Sequence, residues 1–395
     1  MSRNAAISSL LPIYNRIDLV FERGEGSWLW TTDGRRFLDF TSGIAVNGLG
    51  HCHPHLVATL QAQAAKLWHV SNLFRIGELE RLADRLVANS FAETVFLCNS
   101  GAEAMEACIK MARRFHFHRG QPERNRIITF EGAFHGRTMA TISAAGGTRL
   151  TEGFAPLLPG FDQVPFGDHA ALEAAVTDQT AAIMIEPIQG EGGIRPLPRV
   201  CLEGLRALCD RHDILLIFDE VQCGMGRTGH LFAHQHFGVT PDIMGLAKGL
   251  GGGFPIGACL ATARAASGMT TSTHGSTFGG NPLASAVAGA VLDVMLEDGF
   301  LETVKARGDY LCQRAEALVA RHGETFELVR GTGLMVGLKP RRSNLEVAAA
   351  LRAAGLLTVP AGDNIVRLLP PLTVSEAEID QALSTIEACC RDQAA

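Results

Sequence analysis

Asp219 ends the apolar run Ile214-Leu215-Leu216-Ile217-Phe218, and Lys248 sits in the uncharged stretch Gly245-Leu246-Ala247-Lys248-Gly249-Leu250-Gly251-Gly252-Gly253. Desolvation lowers the pKa of a lysine with no acid beside it, so the neutral, nucleophilic amine becomes accessible. A carboxylate delivered by a buried strand can keep a pyridine nitrogen protonated. Together they are the pairing that pyridoxal phosphate (PLP) chemistry asks for. The amine condenses with the aldehyde, and the acid lets the ring accept electrons from a carbon that loses its proton. Each residue alone has a plainer reading, a solvated loop lysine or a strand-end cap. Their joint presence carries the argument.

Ser100-Gly101-Ala102-Glu103 follows a strand candidate and opens a helical run to about Arg114. Its Ser-x-x-Glu spacing is a capping box, which by itself accounts for these residues. The same start also leaves backbone N–H groups free to hold a phosphate dianion. Gly224-Met225-Gly226-Arg227-Thr228-Gly229 matches GxGxxG, but Asp219 to Cys223 intervene between strand and glycines, no acid lies about twenty residues on, and His234, His236 and Pro241 suit a long packed helix poorly. A dinucleotide site is therefore disfavoured. Lys248 is followed by Gly249 and not by Ser or Thr, so Walker A fails as well. His51-Cys52-His53-Pro54-His55 offers no defensible metal geometry and reads as loop histidines. Neither a GxSxG elbow nor HExxH is present.

The elements that must position Asp219 and Lys248 alternate between about 94 and 262. Strand candidates are Thr94 to Cys98, Arg126 to Phe130, Ala181 to Ile185, Ile214 to Phe218, Asp242 to Leu246 and Ile256 to Ala261, separated by helical patterns. Such alternation predicts a mostly parallel sheet covered on both faces, with ligands at the carboxyl ends of its strands. After Pro282 the pattern changes. Long helices (about 283 to 297 and 300 to 321) precede strands near 326–329 and 334–338, a further helix, a strand pair ending at Leu368, and a closing helix from about 375. The first 45 residues, with Trp28-Leu29-Trp30 and the turn Thr32-Asp33-Gly34-Arg35, predict a short β-meander that must pack on something else. The expected division is an N-terminal segment over 1–45 resting on the small domain, a large cofactor-binding domain over 46–282, and a small α+β domain over 283–395.

The chain has 395 residues, 47% of them hydrophobic, enough for a full core without disulfide staples. Its net charge of −6, with no long basic run, disfavours nucleic-acid or anionic-membrane partners. The stretch from Met1 to Pro12 lacks the apolar core of a signal peptide, and no segment is apolar enough to span a membrane, so a cytoplasmic protein is expected. Ten cysteines lie scattered without CxxC spacing, as in a chain whose thiols stay reduced, with Cys389-Cys390 the pair open to oxidation in air.

Ordered blocks along nearly the whole chain resemble the class III (subgroup II) PLP-dependent aminotransferases, and most closely the branch that acts on N2-acetyl-L-ornithine. They are Gly24-Glu25-Gly26, Ser42 to Asn47, Gly50-His51, Asn99 to Ala104, Phe134-His135-Gly136-Arg137-Thr138, Glu186 to Gly192, Asp219-Glu220-Val221-Gln222, Gly275 to Pro282, and Arg367. The resemblance implies an α/β protein of PLP-dependent transferase fold type I, with a mostly parallel central sheet in the large domain. It implies that Lys248 holds PLP and moves the proton, that Asp219 pairs with the pyridinium nitrogen, that Phe134 and Val221 sandwich the ring, and that Gln222 bonds its phenolic oxygen. Ser100, Gly101 and Ala102 would bind the phosphate, joined by Thr277 from the neighbouring subunit of a homodimer.

By the same resemblance, Arg137 would fix the α-carboxylate of the amino donor and Arg367 the α-carboxylate of 2-oxoglutarate or glutamate. Glu191 would pair with Arg367 during the first half-reaction and release it for the second. The planar fork of arginine suits both tasks. One departure is Met105, where these enzymes commonly carry Asn, a change expected to alter packing and not chemistry. The expected reaction passes the δ-amino group of N2-acetyl-L-ornithine to 2-oxoglutarate, giving N-acetyl-L-glutamate 5-semialdehyde and L-glutamate, a step of arginine biosynthesis. Alternatives are succinylornithine, ornithine, succinyldiaminopimelate or 4-aminobutyrate as donor, and more remotely a PLP aminomutase or an inactive binding protein.

Overall fold

A computed structural model describes residues 9–391, with side chains through Cys389. The start of the N-terminal stretch considered above and the Cys390 side chain of the Cys389-Cys390 pair lie outside the described residues. Seven strands form the central sheet, in the order Thr94–Cys98, Gly257–Ala261, Ile243–Leu246, Leu215–Asp219, Thr180–Ile185, Arg126–Phe130, Phe161–Val164. Gly257–Ala261 runs antiparallel to both neighbours, and every other pairing is parallel.

All residues of the four strands from Gly257–Ala261 to Thr180–Ile185 in that order are buried. Uninterrupted apolar runs are what a sheet covered on both faces demands. Successive side chains point to opposite faces. Ala182, Met184, Leu215 and Ile217 share a core with Met105, Cys108 and Ala112 of helix Gly101–His118. Their neighbours Ile183, Ile185, Leu216 and Phe218 pack instead with Leu202, Leu205 and Cys209 of helix Arg199–His212. Phe161–Val164 escapes the sequence reading because Asp162 and Gln163 break its apolar run. It is an edge strand with a single partner and can be half polar.

Phe21–Glu25, Trp28–Thr31 and Arg36–Asp39 form the antiparallel meander, and its last strand continues in parallel onto Leu356–Leu357, with Leu38 opposite Leu356. Trp28 Nε1 donates to Glu378 Oε1 at 2.9 Å, so the meander rests on the C-terminal elements. A second antiparallel sheet orders Phe326–Thr332, Met335–Pro340, Ile365–Leu368 and Val359–Ala361. Helices Pro282–Met295 and Phe300–Arg321 lead into it, the first capped by Asn281 and opened by Pro282. Among the described residues, no helix is long and apolar enough to cross a membrane.

Candidate active site

The central sheet presents a cavity of about 420 Å³ at the carboxyl ends of its strands. Asn99, Ser100, Gly101, Ala102, Phe134, Arg137, Glu191, Asp219, Val221, Gln222 and Lys248 all line it. Asp219 is the last residue of its strand and is 3% exposed. Its Oδ1 accepts the Val221 N–H at 3.0 Å, and its Oδ2 meets His135 Nδ1 at 2.8 Å. Burial opposes protonation of that imidazole, but the Asp219 hydrogen bond and charge outweigh it and raise the His135 pKa. His135 was within a matched block, yet no role was read for it. Its contact with Asp219 crosses 84 residues of chain, a separation that no local pattern reveals.

Lys248 opens the short turn Lys248–Leu250, with φ of 45°. A left-handed conformation is uncommon for a residue with a side chain and persists only where the surroundings impose it. Here the strands on either side, Ile243–Leu246 and Gly257–Ala261, pair as an antiparallel hairpin and fix both ends of the connection. Burial pushes the Lys248 pKa below the ordinary lysine range. Glu191 and Asp219 pull it up and Arg367 pushes it down, leaving a net decrease. Among the described residues the amine has no hydrogen-bonded protein partner.

Ser100 is the N-cap of helix Gly101–His118, and its hydroxyl accepts the Glu103 N–H at 3.2 Å. The reciprocal bond departs from the expected box: Glu103 Oε2 takes the N–H of Asn99, one residue earlier, at 2.5 Å. The N–H groups of Gly101 and Ala102 meet no acceptor among the described residues and stand at the positive end of a helix that lines the cavity. A Cβ on Gly101 would fall 2.8 Å from Val221 Cγ1, so only glycine lets the helix start approach the valine this closely. Free amides for an anion, apolar faces from Phe134 and Val221, an acid at the cavity wall and an amine of lowered pKa fit a phosphorylated pyridine aldehyde.

The substrate side of the cavity is electrostatically organised. Arg367 is 1% exposed, and its Nη1 contacts Glu191 Oε1 at 2.6 Å and Gln222 Oε1 at 3.3 Å, while its buried Nε has no partner. Burial favours protonation of Glu191, but the Arg367 charge and hydrogen bond dominate and hold its pKa below the usual carboxylate range. Gly190 makes room for this pair, since a Cβ there would lie 2.1 Å from Gln222 Oε1. Arg137 is different. It is exposed, its guanidinium lies 5.5 Å from the Phe134 ring centre, and no described carboxylate pairs with it. With Phe134 and Glu191 it also borders an adjoining polar cavity of about 830 Å³.

Two acids of the matched blocks, Glu186 and Glu220, make contacts to which the sequence alone assigns no role. Glu186, directly after strand Thr180–Ile185, accepts N–H bonds from Phe134 at 2.8 Å and Gly190 at 3.2 Å. Glu220, beside Asp219, accepts those of Ala233 at 2.5 Å and His234 at 2.7 Å. A carboxylate following a fully apolar strand was the signal available for Glu186. Thr277 does not line the Lys248 cavity of its own chain; it is exposed beside a separate cavity with Asn99, Glu103 and Ser276. Met105 is fully buried under Gly245 and packs as a hydrophobe. The GxGxxG segment forms turns followed by the short helix Ala233–Phe237, without the long helix a dinucleotide site requires. His55 lies in helix Pro54–Ala64 and not in a loop, because Pro54 supplies a preorganised first helical position. His51 pairs with Asp39 at 2.7 Å and His55 with Asp293 at 2.9 Å. No cluster among the described residues could hold a metal.

The chain is similar to known proteins over nearly its whole length. The family described as Aminotransferase class-III matches residues 12–390. A relative from Mesorhizobium japonicum named acetylornithine aminotransferase is 61% identical over 96% of this chain and 96% of its own. The crystal structure of N-acetylornithine aminotransferase from Stenotrophomonas maltophilia superposes with a TM-score of 0.84 at 41% identity, covering 96% of this chain and 97% of that one. A PLP-bound amine transaminase from an uncultivated Pseudomonas species gives a TM-score of 0.91 at 30% identity, covering 99% and 100%.

Proposed function

The chain belongs to the class-III aminotransferase family and is a PLP-dependent transaminase of fold type I, and on that premise we propose that it moves the δ-amino group of N2-acetyl-L-ornithine to 2-oxoglutarate. The observation that carries the donor reading is the asymmetry of the two arginines. Arg367 is neutralised by Glu191, whereas Arg137, exposed and lining the same cavity, has no acid partner among the described residues. A donor with one carboxylate then has one free guanidinium to bind. Its α-carboxylate goes to Arg137, and the far end of the molecule, which carries the δ-amine, points toward Lys248. With Glu191 moved aside, Arg367 accepts a second carboxylate bidentately, as the dicarboxylate 2-oxoglutarate needs.

PLP, when bound, supplies the aldehyde that takes the amino group and a ring that stabilises charge on the carbon losing its proton. Ser100, Gly101 and Ala102 would hold its phosphate at the helix start, Phe134 and Val221 would flank its ring, and Gln222 would donate to its phenolic oxygen. Asp219, held by the Val221 amide and by His135, would keep its pyridine nitrogen protonated. Lys248, with its depressed pKa, is the base that takes a proton from the substrate carbon and the acid that returns it. Thr277, exposed and outside its own chain's cavity, completes the phosphate site of a second copy in a homodimer. Products are N-acetyl-L-glutamate 5-semialdehyde and L-glutamate, which places the reaction in arginine biosynthesis.

The deciding measurement is kcat/KM across acetylornithine, succinylornithine, succinyldiaminopimelate, ornithine and 4-aminobutyrate with 2-oxoglutarate held constant. Acetylornithine is expected to lead. If ornithine or 4-aminobutyrate surpassed it, the donor assignment would be wrong while the transaminase would stand.

A further inference from the structure

Glu186 is a buried acid of this site to which nothing above gives a task. It is 5% exposed and lines the cavity, and its two oxygens are divided between two different chain segments. Oε1 takes the amide of Phe134 and Oε2 that of Gly190. Phe134 lies within the irregular segment that carries Arg137, and Gly190 immediately precedes Glu191. Neither amide lies inside a helix, and the strand before Gly190 is only Ile188–Gln189. A single rigid carboxylate therefore spaces the backbone that presents the free guanidinium from the backbone that presents the acid of the ion pair. A second brace, Gln189 Nε2 to Glu131 O at 3.0 Å, joins the same two segments farther from Arg137.

We propose that Glu186 is a positioning residue that fixes Arg137 and Glu191 relative to each other and so helps select which end of each substrate faces Lys248. This rests on the roles given to Arg137 and Glu191 above. Burying a carboxylate here is costly: burial and then the Asp219 charge push its pKa up to about 7, against the pull of His135 and of the two N–H bonds that its two oxygens accept. A neutral amide could not do the same work. Glutamine has one acceptor oxygen and would turn its NH₂ toward the other N–H, leaving one segment unbonded.

The test is Glu186→Gln, with Glu186→Asp as a second variant that keeps the charge but withdraws the oxygens by one methylene. Two quantities are read: amide hydrogen exchange of the holoenzyme without substrate, and single-turnover rates of each half-reaction. Exchange should quicken roughly tenfold or more in the segments around 133–137 or 190–193, with strand 243–246 unchanged, as loss of a charge-assisted hydrogen bond implies. The apparent KM for the amino donor should rise roughly tenfold with a smaller fall in the limiting rate, because alignment and not the chemical groups has been disturbed. Unchanged exchange in both segments overturns the proposal, as does uniform quickening with a lower Tm in both variants, which marks a merely structural acid. Local quickening with both half-reactions intact also overturns it. Failure of the donor reading would show separately, in the donor panel with the unmodified enzyme.

Discussion

Lys248 and Arg367 are the two basic groups on which the proposed chemistry turns, and each is expected to fail in its own way when replaced. Lys248→Ala should lower kcat by roughly 10³-fold or more, since general acid–base transfer contributes about 10² to 10⁴. The visible absorbance of bound PLP should shift at the same time. Arg367→Ala strands Glu191 in the cavity without its cation and removes the second carboxylate site. It should slow the half-reaction with 2-oxoglutarate by about 10²-fold, the scale of a lost buried charge pair. Arg137→Ala should chiefly impair the donor half-reaction; equal losses in both half-reactions for either variant would refute the division. Asp219 and Lys248 were legible in the sequence because their signal is local, an apolar run ending in acid and a lysine in an uncharged stretch. His135 is not legible, because what defines it is a distant partner, Asp219; Glu186 carries the same local signal as Asp219, an apolar run ending in acid, but its bond to the Phe134 amide has no trace in the sequence.

The elements around the site are set by close approach. Gly190→Ala would drive a methyl into Gln222 Oε1, displacing the side chain that touches Arg367, and kcat/KM for 2-oxoglutarate should fall about tenfold or more. Helix Gly101–His118 is held against the sheet by apolar and sulfur-bearing side chains, Met105 among them. Met105→Asn would restore the residue common in the resembling enzymes, yet here it buries an amide among Cys108, Ile217 and Cys259. A loss of about 1–3 kcal/mol in urea unfolding is expected, with PLP affinity unchanged. Strand placement was largely readable, since four of the seven strands are wholly buried and leave continuous apolar runs. What could not be read was their order. The sequence gives no sign that Gly257–Ala261 inserts antiparallel between Ile243–Leu246 and Thr94–Cys98, because pairing partners need only match in burial.

At the scale of the molecule, buried titratable groups make stability depend on pH. Burial pushes Glu220 up to about 8 from an ordinary 4.5, against the pull of the His234 and Ala233 amides. The folded state therefore holds a proton that the unfolded chain has released; this contribution is complete below about pH 4.5 and is lost as pH rises through about 8. His234, lowered by burial to about 4 from 6.5, acts oppositely, its contribution being lost as pH falls through about 4. Above about pH 6.5 the His234 contribution no longer changes while that of Glu220, joined by Glu186 raised to about 7, is still being lost, so Tm of the apoprotein should decline from there to about pH 8. Glu220→Gln should flatten that decline; an unaltered slope would show that Glu220 is ionised throughout. Connectivity has a further consequence. Strand Thr94–Cys98 finds its partner only at residues 257–261, and the free edge of Arg36–Asp39 is covered only by Leu356–Leu357. On the ribosome, the flank of the nascent sheet stays bare until more than half of the polypeptide has emerged, and Arg367 reaches Glu191 only near the end of synthesis. Products that terminate before residue 257 would leave strand Thr94–Cys98 without its partner, an open strand edge at which pairing between chains competes with folding.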